Sequence, residues 1–401
     1  MKARASVVTR RKHHPLGLMT LLMTAVLLIP PSRGGLHAAG QEERIIRFRP
    51  ATRSYLVRFN GETIRAYCRV FDVRTEQERE KNRRENRLGG NVIVFFHGHA
   101  QRPDDGNNLL EELALRSKSG ILVIPVCDTP YGRDAKWRGD SGKVVILRDL
   151  VRLVLHERGV TLEGYGYDPA LKTVIDGAEV FERPWEKWII TRATVMGWSH
   201  GCLLARRFAS AYPDTVREMA QMSPAGYVNW GGENFCGPSC LMGRFAWECG
   251  NIGTGVFSHP GDVFGSGWGV AKGMTGDTAR SCGSCIGGNK SCMKPFRNFR
   301  DTKDCALYGD DSNLPVPNLE RIVILFGKDD TLFNAGKILG AKDPKKITEA
   351  EKKKFWEKFY AKTFPGARRL LLEVYPGDHI GPLVYYKKYA ETALKETGQY
   401  R

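Results

Sequence analysis

A chain of 401 residues with 42% hydrophobic and 26% charged residues has the make-up of a globular protein with a sizeable core. That excludes a wholly disordered chain, and the absence of any Gly-X-Y period or sustained heptad excludes a fibre. Lys and Arg number 61 against 44 Asp and Glu, a formal charge of +17 that favours anionic partners and says nothing about fold.

Residues 1 to 14 carry Lys2, Arg4, Arg10, Arg11 and Lys12 and no acid, and Leu16 to Ile29 is an uncharged apolar run of 14 residues. A membrane span needs about 20, so the run matches the core of a secretory signal. Pro30 and Pro31 end it, and Ala38 or Ala39 offers a cleavage point, although Leu36 and His37 stand where small residues are preferred. An uncleaved anchor is the alternative. No cysteine closes the run, which argues against a lipoprotein. Removing residues 1–38 takes away six basic residues and no acid, lowering the charge from +17 to +11. The expectation is a secreted or periplasmic protein without a stable membrane span once the signal is gone.

In chain order, residues 54–58 and 64–71 read as strands joined around Asn60-Gly61, a hairpin signal. Residues 74–88 are charged on every face and read as a solvated helix or loop. They interleave no aromatic residue for base stacking, so no nucleic-acid partner is expected. Asn91 to Phe96 is a continuous apolar strand of the kind buried on both faces of a parallel sheet. A helix near 107–117, a strand over 121–126, a helix over 143–158, a strand over 193–197 and a helix over 203–211 follow. Strands over 321–326 and 370–375, with helices near 346–363 and 383–396, complete the pattern. Alternation of this kind predicts an α/β protein with a mostly parallel, doubly wound sheet. The interruption is residues 224–318, rich in Gly and Cys and without sustained period; placed between two core strands, they read as an insertion.

Seven of the ten cysteines lie there, at positions 236, 240, 249, 282, 285, 292 and 305, while Cys68, Cys127 and Cys202 lie outside. In an oxidising compartment disulfides are expected ahead of zinc, whose ribbon sites use paired C-x2-C spacing that Cys236-x3-Cys240 lacks. The odd count requires a bridge to one of the three outside cysteines or a free thiol in the cluster. For Cys202 the order of expectation is a buried thiol, a bridge to the cluster, then a modified thiol.

Gly197-Trp198-Ser199-His200-Gly201 follows a strand and opens a helix. Its glycines permit a sharp turn that lifts a serine hydroxyl to the sheet edge, and the helix N-terminus offers backbone N–H groups to a developing oxyanion. This nucleophile elbow resembles that of the α/β-hydrolase superfamily. Three further motifs fall where that family has them: Phe96-His97-Gly98-His99 after an earlier strand, Gly327-Lys328-Asp329-Asp330 after Arg321 to Phe326, and Tyr375-Pro-Gly-Asp-His379 after the last strand. The resemblance covers roughly residues 50–225 and 319–398.

The resemblance implies Ser199 as nucleophile, His379 as base and Asp330 as the acid that orients it, with Asp329 the rival. The backbone N–H groups of His200 and of His99 or Gly98 would form the oxyanion hole. The side chains of His97, His99 and His200 need no catalytic role, and neither cofactor nor metal is implied. Residues 1–38 are thus read as signal, 39–223 and 319–401 as core, and 224–318 as a disulfide-rich cap. Aromatics such as Trp230, Trp247 and Trp268 either face substrate there or pack the small subdomain. The leading function is an exported carboxylic ester hydrolase (esterase, lipase or polyester depolymerase) acting on a lipid or polymer ester. A serine peptidase and a secreted binding module on a hydrolase scaffold are the alternatives.

Overall fold

The computed structural model describes residues 51–59, 61–98, 103, 107–127, 141–164, 175–176, 188–225, 227, 314–330, 335–341, 343, 347–377, 379 and 381–401. The expected signal, residues 1–38, lies outside them, as does nearly all of 224–318 with its seven cysteines.

The chain opens on a hairpin, β1 (Arg53–Phe59) and β2 (Glu62–Asp72), paired antiparallel from Arg53↔Cys68 to Phe59↔Glu62. Gly61 takes the left-handed φ of +79° that so tight a turn requires. The charged stretch after it is a helix, α1 (Glu76–Glu85), in which no residue is buried. It stands on its ends: Thr75 and Glu78 form a reciprocal capping box, and Asn86 closes the helix in the left-handed conformation.

Strands β3 (Val92–Phe96), β4 (Ile121–Cys127), β5 (Val160–Leu162), β6 (Ile175–Asp176), β7 (Ile189–Thr191), β8 (Ala193–Trp198), β9 (Val216–Met222), β10 (Arg321–Gly327) and β11 (Arg369–Tyr375) follow. The main sheet runs β11-β10-β9-β8-β3-β4-β2-β1-β6, and β5 pairs with β7 apart from it. All pairings from β11 across to β4 are parallel, and those of β2, β1 and β6 are antiparallel.

Alternation along the parallel strands divides the core into two layers. Val92, Val94 and Phe96 face one side of the sheet, with Ile322, Ile324 and Phe326, and meet α3 (Ser141–His156) and α4 (Gly201–Ala211). Ile93 and Phe95 face the other, with Val323 and Leu325, and meet α2 (Asn107–Arg116) and a C-terminal helix, Tyr386–Glu396. Each fully buried side chain of this size contributes about 1.5–3 kcal/mol. Strands apolar on both faces need cover on both, so the doubly wound α/β arrangement follows from the pattern.

The differences from expectation have local causes. The last helix is two, α7 (Gly381–Val384) and α8 (Tyr386–Glu396), broken at Tyr385. Helices α5 (Ala335–Leu339) and α6 (Glu349–Thr363) precede β11. Strand β9, VREMAQM, carries polar residues inside the core and so shows no continuous apolar run. Its buried Glu218 accepts from Thr194 Oγ1 at 2.8 Å and from the Asn91 side chain, which ties the N-terminal ends of β9, β8 and β3 together. Cys68 and Cys202 are buried free thiols, so neither bridges to the cysteine cluster, and burial pushes the Cys68 thiol up to about 12. Among the described residues no helix is long and apolar enough to cross a membrane.

Burial raises the Glu218 carboxyl above its ordinary value, against the opposing hydrogen bonds from Thr194 and Asn91. A carboxyl with a raised folded pKa binds its proton more tightly when folded, so its contribution is best at low pH and falls as pH rises through the folded value. Glu218→Gln is therefore expected to gain stability over the wild type as pH rises, with the difference shrinking toward acid. Urea midpoints between pH 4.5 and 8 check the sign.

Candidate active site

In an open parallel sheet, ligands bind beyond the carboxyl ends of the strands, where the strand order reverses. Here the reversal is at β3: the chain crosses to β4 on one side and later returns to β8 on the other. Phe96 pairs with Gly197 and Trp198 with Met222, so the ends of β3, β8 and β9 are level. The strands that lead into the four hydrolase-type motifs, β3, β8, β10 and β11, all end on this edge.

Gly197 and Gly201 are required by space. A Cβ on Gly201 would stand 1.9 Å from the Phe96 carbonyl oxygen, and one on Gly197 would stand 2.5 Å from that of Gly201. Helix α4 can thus begin directly against the end of β3, and the chain must reverse within the residues between the glycines. Ser199 absorbs the reversal at φ +57°, a conformation that costs a non-glycine residue about 1–3 kcal/mol and persists only where the surroundings enforce it. Its N–H donates to the Met222 carbonyl at 3.0 Å, and its carbonyl accepts from the N–H groups of Cys202 and Ala225 at 3.0 and 3.2 Å.

His379 is brought over this elbow by the turn after β11. The Lys328 N–H donates to Tyr375 O at 2.7 Å and the Asp329 N–H to Gly377 O at 2.9 Å, lacing the turns after β10 and β11 together. The Trp198 indole N–H donates to the His379 carbonyl at 2.9 Å, and the two rings lie 5.8 Å apart. His379 Nε2 is then 2.8 Å from Ser199 Oγ, and its Nδ1 is 3.0 Å from Asp330 Oδ2. Asp330 is completely buried while Asp329 is exposed, so of the two neighbouring carboxylates it is Asp330 that meets the imidazole.

Ser199, His379 and Asp330, far apart in the sequence, form one hydrogen-bonded line at the carboxyl edge of a sheet ordered β11-β10-β9-β8-β3-β4-β2-β1. This is the α/β-hydrolase fold. No family model and no curated protein matches the chain. Among solved structures, an α/β hydrolase from a Medee basin deep-sea metagenome library aligns at TM-score 0.43 and 14% identity, over 86% of this chain and 98% of its own. A probable hydrolytic enzyme from Pseudomonas aeruginosa gives 0.48 at 11% identity, over 87% and 95%. A hyperthermophilic esterase from Pyrobaculum calidifontis gives 0.42 at 13%, over 95% and 98%. Strand order and elbow geometry, not these likenesses, carry the assignment.

The remaining residues expected at the site fall as follows. Gly98 is buried just past β3, and His200, also buried, is the N-cap of α4, so its peptide is at the positive end of that helix. His99 lies outside the described residues. His97 is buried edge-on against Phe95, ring centres 5.3 Å apart, in keeping with a packing role. Among the described residues no cluster of His, Cys, Asp or Glu could hold a metal ion. Trp198 acts at the site through its indole N–H, and its place inside the G-x-S-x-G string is the signal the sequence offers for it. Ser223, fully buried at φ +45° on the neighbouring strand end, carries no sequence motif.

Gly201→Ala puts a methyl group into the Phe96 carbonyl, and the expected cost is about 3 kcal/mol or more because the obstacle is backbone. Urea unfolding of the purified variant measures it, and a midpoint equal to that of the wild type would refute the packing described.

Proposed function

We propose that this α/β hydrolase is a serine hydrolase that cleaves carboxylic esters through an acyl-enzyme on Ser199. The observation that carries the reading is the line from Ser199 Oγ through His379 to the buried Asp330, at 2.8 and 3.0 Å, with the serine held in a strained elbow. A serine hydroxyl is a weak nucleophile until a base takes its proton. His379 Nε2 takes it as Oγ attacks the ester carbonyl carbon, and the carbonyl oxygen becomes an oxyanion. The N–H of His200 and that of Gly98 or His99 are the donors proposed for that oxyanion. His379 then protonates the departing alkoxide, leaving an acyl group on Ser199. A water molecule repeats the sequence, delivering a proton through His379 and releasing the acid. Asp330 holds Nδ1–H toward itself, fixing the tautomer and stabilising the imidazolium.

The proposal includes export, supported by the basic and then apolar residues 1–29, and a cap role for residues 224–318, supported by their place between β9 and β10. It also includes lipid or polymer esters as the substrate class, supported by the aromatic residues of that insertion.

Ser199→Ala is expected to lower ester turnover by about 10³-fold or more with little change in thermal stability, since the three residues act as a unit. The wild type should react with a fluorophosphonate probe and the variant should not. An unreactive wild type points to the binding-module alternative. A panel of short- and long-chain p-nitrophenyl esters beside aminopeptidase substrates separates esterase from peptidase.

Asp330→Asn is expected to reduce turnover far more than Asp329→Asn, by about 10⁴-fold in the manner of a triad whose histidine is left in the wrong tautomer. Steady-state kinetics of the two variants side by side decides between the neighbouring acids.

A further inference from the structure

Helix α4 carries one side chain that neither the core nor the proposed chemistry accounts for. Arg206 is 0% exposed, on a helix whose other buried residues are Gly, Cys, Leu, Ala and Phe. Withdrawing a guanidinium from water is costly unless neighbours receive its donors and its charge. An aliphatic side chain would fill the same space without that cost, so the contacts distinguish the arginine.

Two of those contacts fall on the segment that follows β9. Arg206 Nη2 donates to the Ala225 carbonyl at 3.3 Å, and the guanidinium carbon stands 4.4 Å from the centre of the Tyr227 ring. Cation–π attraction of this kind is strongest where water is excluded, and Tyr227 is buried. The Tyr227 hydroxyl donates to Gln221 Oε1 at 2.6 Å, so both ends of the segment are anchored.

This same segment serves the backbone of Ser199. Met222 accepts from the Ser199 N–H, and the Ala225 N–H donates to the Ser199 carbonyl. Between them Ser223, directly before Pro224, sits at φ +45° and donates its N–H to Leu325 O at 2.8 Å. Two neighbouring serines in left-handed conformation do not hold themselves there; something packed behind them must. Arg206 reaches the residue that hydrogen-bonds the elbow, and it does so from the helix the elbow starts.

We infer that Arg206 is a positioning residue for Ser199: by gripping Ala225 and Tyr227 it keeps Met222 to Ala225 closed on the elbow and Ser199 Oγ in line with His379. The inference rests on Ser199 being the nucleophile, whereas the grip itself can be measured without turnover.

The test uses the full chain carrying Arg206→Met, Arg206→Lys or Tyr227→Phe. The readouts are hydrogen exchange of peptides covering 198–206 and 219–227, the thermal midpoint, the fluorophosphonate rate, and kcat and KM on a short-chain p-nitrophenyl ester. Arg206→Met is expected to speed exchange in both peptides and to lower the probe rate and kcat together by about 10- to 100-fold, with KM within about twofold. Arg206→Lys keeps a cation and a donor, and should recover part of both losses. Tyr227→Phe keeps the ring, and should stay within about threefold of the wild type. A lower midpoint with an unchanged probe rate for the folded protein overturns the inference, and so does unchanged exchange in Arg206→Met. If Arg206→Met does not fold, Arg206→Lys and Tyr227→Leu carry the same comparison, and unchanged probe rates in both overturn it. A wild type that ignores the probe sinks the hydrolase reading instead, a result told apart by exchange data that report the grip alone.

Discussion

The contact between the first residue of α4 and the last carbonyl of β3 constrains everything near the site. Only a residue without a Cβ can occupy Gly201, because that atom would fall 1.9 Å from the Phe96 oxygen. With the helix started so close to the sheet, Ser199 has no room for an ordinary strand-to-helix transition and takes a positive φ. The same closeness sets the first turn of α4 beside the end of β3, where the positive end of the helix dipole lies. The left-handed conformation of Ser199 and a field that favours anions beside it are therefore consequences of one steric fact.

The two edges of the sheet divide the polar work between them. At the amino edge, Asn91, Thr194 and Glu218 bind three strands into one another, and Gln399 accepts from the Asn91 N–H at 2.9 Å. At the carboxyl edge, the hydrogen bonds run between turns, from Lys328 to Tyr375 and from Asp329 to Gly377. Register set firmly at one end lets the turns at the other be aimed, and Asp330 and His379 meet although 49 residues separate them.

The elements legible in the sequence were those whose side chains obey a single rule. Val92 to Phe96 and Ile322 to Phe326 are apolar throughout because both faces are covered, and the elbow glycines stand at fixed spacing because both are pressed against backbone. Strand β9 is not legible in the sequence because Glu218 and Gln221 are polar yet buried, and their acceptability depends on Thr194, Asn91 and Tyr227, residues that only the folded chain brings near. Ser223 and Arg206 were illegible for the same reason: a strained φ and a buried cation are properties of surroundings. The choice between Asp329 and Asp330, open in the sequence, turns on which of two adjacent side chains points inward at the end of β10.

Helix α1 offers a practical consequence. It buries nothing, and its ion pairs of Arg83 with Glu76 and Glu80 and of Lys81 with Glu85 lie on exposed side chains, while Arg79 reaches Asp72 at the end of β2. It joins β2 to the start of β3, the edge of the sheet opposite Ser199. Exposed lysine 81 on a helix that the core does not use is a natural point for tethering the protein to a bead or an electrode. A molecule fastened there is held by the amino edge of its sheet, so the attachment chemistry acts at the end away from Ser199.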